Sequence, residues 1–236
     1  MKKIFPVLFC FSLLICTTVC AQSDSFLTAE EIPTAAKFLP LPPDPAAATF
    51  ENDRLRYEWG KTMRDTARGK QAVEDALITP EYFAEIFSEP FGITISEENT
   101  PEIWKLLNRV LETARICSRK SKGRIMRTRP FVQFNEPTPV PKDEKILKNS
   151  SSYPSGHTTR GWSIALVLAE INPARQDEIL KRGYEYGESR VIVGFHYQSD
   201  VDAARVITSA MVNRLHANEE FVKQLEKAKK EFQSKK

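Results

Sequence analysis

Apolar residues recur every three or four positions through most of the chain after about residue 49. In "PEIWKLLNRVLETARICSR" the residues Ile103, Leu107, Val110, Ala114 and Cys117 share one stripe. That spacing predicts an amphipathic helix with one buried face. Pro101 suits its first turn, where no amide donor is needed. "ENDRLRYEWGKTMRDTARGKQAVEDA" has the same texture with more charge. "SIALVLAEI" predicts a buried helix that ends near Asn172-Pro173, and a further helix is expected from about Ala174 through "RQDEILKRGYEYGESRVI". Gly183 and Gly187 fall on one face of it, as close helix packing requires. "SDVDAARVITSAMVNRL" and "NEEFVKQLEKAKKEF" predict two more helices. No stretch has the two-residue alternation of a strand, and there is no convincing internal repeat. The expected class is all-α, a single-domain helical bundle over residues 49–236.

Two regions break the helical period. Residues 22–48 are polar and then proline-rich, ending in "LPLPPDPAAA". They predict an extended arm laid on the domain, without a core of its own. Residues 131–153 contain "FNEPTPVPKDEK", with three prolines in five residues, and predict a long loop.

The first 21 residues belong to neither region. Lys2 and Lys3 precede the apolar run "IFPVLFCFSLLIC", and "VCA" supplies small residues before a cut after Ala21. This is the pattern of a secretory signal peptide. The run is shorter than the about 20 apolar residues that span a bilayer. An uncleaved anchor or a lipid on Cys16 or Cys20 is the other reading. Neither cysteine follows the leucine and small residue expected before a lipoprotein site. The expected location is periplasmic or secreted, with no membrane association after cleavage.

Cleavage changes the charge and the cysteine count. It leaves 32 basic against 31 acidic side chains, so the formal charge falls from +3 to +1. That balance gives no case for nucleic acid or an anionic membrane as partner. Three of the four cysteines lie in the leader, so Cys117 alone remains and no internal disulfide can form. Cys117 is expected as a small buried helix residue. With three histidines and neither a CxxC nor an HExxH pattern, no metal site and no cofactor are expected.

Three clusters could carry chemistry. In "KGRIMRTRP", Lys122 and Arg129 are seven apart, about two turns, so a helix would put them on one face. The alternative is a solvated basic helix end. In "PSGH", residues 154–157, a helix N-terminus offers unpaired N–H groups and the positive end of a dipole to an anion. Gly156 permits close approach of a ligand, and Ser155 can cap the helix or donate to a bound oxygen. The alternative is an ordinary capped helix with an exposed histidine. In "SRVIVGFHYQSD", Arg190 and His196 would diverge on an unbroken helix, but Gly194 offers a break. A helix starting near Phe195 would place His196 and Asp200 on one face, where the carboxylate fixes the imidazole tautomer. The alternative is a His–Asp bond that only locks two helices. His216 is expected to be structural or solvent-facing.

Taken together, these are two histidines at helix starts and three cations, Lys122, Arg129 and Arg190, with no carboxylate partner evident in sequence. A phosphoryl group has three non-bridging oxygens that need such donors. The three segments resemble the signature of the type 2 phosphatidic acid phosphatase superfamily: lysine, six residues, Arg-Pro; Pro-Ser-Gly-His; and Ser-Arg, five residues, histidine, three residues, aspartate. "LPLPPDPAAATFENDRLRYEWGKTMRDTARGKQAVEDA" and "LVLAEINPARQDEILKRGYEYGESR" resemble the class A bacterial non-specific acid phosphatases. The resemblance covers most of the chain and thins near residues 80–100.

What the resemblance implies is a metal-independent acid phosphatase that hydrolyses phosphate monoesters, with its active site between helix ends and loops. His196 would attack phosphorus and form a phosphohistidine, and Asp200 would hold its other nitrogen. His157 would protonate the leaving oxygen and then activate water. Lys122, Arg129 and Arg190 would bind the phosphoryl oxygens with Ser155 and the Gly156 N–H. Inorganic phosphate or vanadate would occupy the same site, and a homo-oligomer is implied. A phosphohistidine is open to any hydroxyl that reaches it, so transfer to alcohols follows. An acidic to near-neutral, bell-shaped pH profile is expected.

Relatives often join the loop after the Arg-Pro motif to the residue before the glycine of "GFH" by a cysteine pair. Here that residue is Val193, and Phe131 to Lys148 contain no cysteine, so a more mobile loop is expected. Arg160 and Tyr153 flank "PSGH" within reach of a substrate. The competing functions are a vanadium-dependent haloperoxidase-like enzyme, a lipid phosphatase and a non-catalytic phosphate-binding module. The short chain and the class A flanks weigh against the first. The lack of visible membrane spans weighs against the second, and the paired acid and base against the third.

Overall fold

The computed structural model describes residues 24–123 and 125–235. The signal peptide expected over residues 1–21 lies outside them. Among the described residues all regular structure is helical. It comprises α1 (Glu51–Met63), α2 (Ala67–Glu74), α3 (Pro80–Phe91), α4 (Pro101–Lys122) and α5 (Pro130–Gln133). The second half adds α6 (Pro141–Leu147), α7 (Gly156–Ile171), α8 (Gln176–Ile192), α9 (Gln198–Leu215) and α10 (Glu219–Ser234). The chain is all-α, as its periodicity predicts.

Helix α7 is the centre. It packs on α4, α8 and α9, while α10 covers α4, and α1, α2 and α3 lie across α8. A helix surrounded on all sides needs apolar residues around its circumference, and "SIALVLAEI" supplies them. The α7–α8 contact is unusually close. A Cβ at Gly161 would stand 2.3 Å from Tyr186 Cδ1, and one at Gly183 would stand 2.4 Å from Ala165 Cβ. No real contact is that short, so these glycines set the helix spacing. Gly187 faces Thr158 in the same contact. The stripe read from α4 is buried along its length, from Ile103 to Cys117.

The arm contributes to the bundle core rather than to one of its own. Phe26, Leu27 and Ile32 are buried with residues of α3, α4 and α10. Lys120 Nζ donates to the carbonyls of Ala29 and Ile32, and the Tyr153 hydroxyl donates to Pro40 O.

One expectation needs correction. The proline-rich stretch after Arg129 is not one long loop, because it contains α5 and α6. Both open on a proline, which needs no intrahelical acceptor in the first turn. The residues that interrupt one helix therefore start the next. This segment is tied to α1, since Glu136 accepts from Tyr57 Oη at 2.8 Å and from Lys61 Nζ at 3.0 Å. It also shares a small apolar cluster in which Phe131 and Val140 pack with Val193 and Phe195. Residues 80–91, whose pattern predicts no particular element, form α3. Thr79 caps it by accepting from Tyr82 N, and Pro80 opens it.

Candidate active site

Every residue singled out for chemistry sits at the end of a helix. Lys122 closes α4, and Arg129 immediately precedes α5. Ser155 is the N-cap of α7, with Gly156 and His157 in its first turn. Arg190 lies in the last turn of α8, and His196 and Asp200 flank the start of α9.

Lys122 and Arg129 do not share a helix, because α4 ends at Lys122. They meet through a carbonyl instead. Lys122 Nζ donates to Ser151 O at 2.7 Å, and Arg129 Nη2 donates to the same oxygen at 3.2 Å. Arg129 is held further by Leu147 O, Ser150 O and Phe195 O. Its remaining N–H, on Nη1, points at His196 Nε2 at 3.2 Å.

That last contact fixes the histidine tautomer. A guanidinium has only donors, so Nε2 is the acceptor and the ring proton sits on Nδ1. Nδ1 faces Asp200 Oδ2 at 3.3 Å. The two residues meet, although not by sharing a helix that begins at Phe195. Gly194, at φ 81°, turns the chain after α8, and α9 begins only at Gln198. Asp200 sits in its first turn, where Oδ2 also accepts from Tyr197 N at 2.9 Å and from the Ser152 hydroxyl.

Asp200 has a further partner that the motif reading does not reach. Arg127 Nη1 donates to Asp200 Oδ1 at 2.5 Å, and its Nη2 donates to Asp53 Oδ2 at 2.7 Å. A buried chain of charges thus runs from α1 through Arg127 to the imidazole of His196. The sequence hint is slight: a second arginine two places before Arg129. Ser152 and Asp53 carry no local signal.

Arg190 is fully buried and makes no ion pair among the described residues. Nη1 donates to Asp75 O at 3.1 Å, whereas Nε and Nη2 have no acceptor. Buried donors are rarely left so, and an unsatisfied buried guanidinium is costly. It lies against the Phe195 ring, close enough for its charge to act on both histidines.

His157 Nε2 lies 3.1 Å from Ala76 O, and its ring stacks on Tyr186 at 6.3 Å between centroids. A carbonyl can only accept, so Nε2 carries a proton and Nδ1 is the free nitrogen. Ser155 Oγ accepts from both Thr158 N and Thr158 Oγ1. Its two lone pairs are used, which leaves its own proton to donate. Capping and ligand donation, set out above as alternatives, are therefore compatible. Gly156 packs closely on α4, where a Cβ would lie 2.6 Å from Ser118 Oγ and would make that hydroxyl turn away. Arg160 Nη1 donates to Gly156 O at 3.0 Å, and Tyr153 is turned towards the arm.

The electrostatics follow from burial among cations. Burial first, then Arg129, Lys122 and Arg190, hold the His196 pKa well below the usual histidine value. Burial and then Arg190 do the same to His157, partly opposed by the Ala76 carbonyl. Burial, with Arg129 nearby, lowers Lys122 to about 7. A dianion among these groups would relieve all three. His216 lies elsewhere, paired with Glu170 near the far end of α7. Cys117 is buried, and burial pushes its thiol up to about 12, far from a reactive thiolate. Among the described residues no three His, Cys, Asp or Glu side chains are disposed to hold a metal.

Comparison with known proteins gives the family. Residues 105–220 match the PAP2 superfamily. The chain is 46% identical to the non-specific acid phosphatase of Providencia stuartii over 98% of both chains. It is 41% identical to the non-specific acid phosphatase of Salmonella typhimurium strain LT2, covering 89% of this chain and 84% of that one. It is 32% identical to an acid phosphatase of Zymomonas mobilis, covering 83% and 74%. With that identity over nearly its full length, and with the superfamily match spanning the site, this chain belongs to the non-specific acid phosphatases of the PAP2 superfamily.

Proposed function

We propose that this protein hydrolyses phosphate monoesters between His196 and His157, through a phosphohistidine. The observation that carries the reading is the fully buried Arg190 guanidinium with two nitrogens lacking acceptors, beside an imidazole whose Nε2 bears no proton. Unsatisfied donors next to an unprotonated imidazole nitrogen suit a phosphoryl group: its oxygens need the former, and its phosphorus takes the lone pair as the Arg129 N–H passes from that nitrogen to a phosphoryl oxygen.

The Nε2 lone pair of His196 attacks phosphorus as the P–O bond to the leaving group breaks. His157 passes a proton to the departing oxygen. Arg190, Arg129 and Lys122 hold the equatorial oxygens with Ser155 Oγ and the Gly156 N–H, so charge is stabilised by groups already in place. Asp200 keeps the proton on Nδ1 and balances the charge that the ring gains. Water then attacks phosphorus and gives its proton to His157. The N–P bond breaks, and both histidines return to their starting states. An alcohol can replace the water, which makes the enzyme a phosphotransferase as well. No step calls on a metal. Residues 1–21 direct export to the periplasm or medium. No described helix is long and apolar enough to cross a membrane.

Rapid quenching with a radiolabelled aryl phosphate tests the mechanism. Acid-labile phosphate should appear on His196 and be absent from His196→Ala. Turnover by the wild type with no labelled histidine would overturn the covalent route. Monoesters should be cleaved equally with and without chelator, and vanadate should inhibit rather than support peroxidase activity.

A further inference from the structure

Just after α2, three successive carbonyls are directed at three side chains around the site. Asp75 O accepts from Arg190 Nη1 at 3.1 Å, Ala76 O from His157 Nε2 at 3.1 Å, and Leu77 O from the Tyr186 hydroxyl at 2.8 Å. Tyr186 in turn stacks on His157. One short run of backbone thus holds an oxygen-binding cation, the proton donor and the ring behind it.

The three amides of that run donate to α2 carbonyls, and one carboxylate ties it to the rest of the bundle. Asp75 is completely buried. Oδ1 accepts from the Tyr82 hydroxyl at 2.8 Å and from Arg182 Nη2, and Oδ2 accepts from Ser189 Oγ at 2.5 Å and Arg182 Nη1 at 3.2 Å. Arg182 and Ser189 lie on α8 and Tyr82 on α3, so the carboxylate clamps the turn from two helices. A buried carboxylate is costly to disturb, because losing a donor leaves charge uncompensated in the interior.

We propose that Asp75 is a positioning residue for the acid–base step: by fixing residues 75–77 it sets the orientation of the His157 imidazole and of Arg190. This rests on the assignment of His157 as the proton donor. Asp75 touches neither substrate nor phosphorus, and its effect passes through the two carbonyls. Charged and titratable groups face His157 from several directions. They are Arg190 and Tyr186 of α8, Arg160 of its own helix, and His196 opposite. Among the described residues the one hydrogen bond fixing the ring comes from the Asp75–Leu77 turn.

The test compares two monoesters, p-nitrophenyl phosphate and a simple alkyl phosphate. The aryl leaving group departs readily without a proton, whereas the alkyl one requires it. In Asp75→Asn the alkyl-to-aryl ratio of kcat/KM should fall by about tenfold, a fraction of the usual general-acid contribution. The alkaline limb of the alkyl profile should move to lower pH, because the Ala76 carbonyl raises the His157 pKa. Inhibition by inorganic phosphate should weaken through Arg190. Tyr82→Phe removes one bond and keeps the ion pair, so it should show the same signs at smaller amplitude even if Asp75→Asn folds poorly. If both variants lower the two substrates equally and leave the limb in place, Asp75 only supports the fold and the proposal fails. His157→Ala is the control. If it changes the ratio and neither Asp75→Asn nor Tyr82→Phe does, this proposal alone is overturned. If it leaves the ratio unchanged, the acid assignment falls and this proposal with it.

Discussion

Arg129 Nη1 stands 3.2 Å from Nε2 of His196. The cation therefore marks the unprotonated nitrogen, and in the proposed reaction its N–H would turn to a phosphoryl oxygen as phosphorus takes that lone pair. Removing the nucleophile and keeping the cations should separate chemistry from binding. His196→Ala should lower turnover at least about 1,000-fold, as loss of a covalent route does. Inorganic phosphate should still raise its Tm, because Lys122, Arg129 and Arg190 are unchanged. Turnover within tenfold of wild type would mean that another group attacks.

The pH profile should be set by two depressed histidines. The proposed route needs His157 protonated and His196 neutral. Both pKa values lie well below the ordinary value of 6.5 in the free site. The His196 condition therefore holds into acid, and the His157 condition fails on approach to neutrality. kcat/KM, which reports the free enzyme, should peak below pH 6.5 and fall above it. Bound phosphoryl charge offsets Arg190 and raises the His157 pKa, so kcat should peak at higher pH than kcat/KM. Stopped-assay profiles across pH 4–9 check both. A kcat/KM still rising at pH 9 would exclude the assignment.

Phosphate binding should take up protons. Lys122 titrates near 7 in the free site because it is buried beside Arg129. A bound dianion favours its charged form. At pH 7, calorimetry in buffers of different ionisation enthalpy should show net proton uptake, reduced in Lys122→Met. The same shifts bear on stability. Lys122 and both histidines have lowered folded-state values, so the unfolded chain binds more protons. Stability should rise with pH between about 7 and 10.5 through Lys122, and fall as pH drops below 6.5 through the histidines. Saturating phosphate should flatten both slopes.

Arg127 bridges two buried carboxylates, Asp53 and Asp200. Arg127→Ala would leave both charges unpaired, at a cost of about 3–5 kcal/mol by urea unfolding. Asp53→Asn keeps the link to Asp200 and should cost less. Activity should fall further than stability explains, because Asp200 no longer holds the His196 proton in place. An Arg127→Ala enzyme with wild-type kcat would show that Asp200 needs no such support.

Much of this protein is written locally. Helical periodicity in α4, α7, α8 and α9 depends only on which residues lie three and four apart. The chemical inventory is also local, since Lys122, Arg129, Ser155, Gly156, His157, Arg190, His196 and Asp200 form a spaced motif in one linear stretch. Even the break between Arg190 and His196 is signalled by Gly194, whose φ of 81° suits glycine.

What no local pattern contains is how those residues are held. Arg127 meets Asp53 across 74 positions, and Ser189 meets Asp75 across 114. Neither pairing leaves a periodic trace, because each arises only when separate helices pack. The meeting of Lys122 with Arg129 shows the same thing: seven residues suggested one helix face, but a carbonyl from the 150s joins them. Side-chain types and their spacing, a property of the linear chain, determined the reaction open to this protein. Which imidazole nitrogen is left unprotonated, which carries the proton and in which direction the pKa values move depend on burial and on long-range donors, and only the packed bundle supplies those.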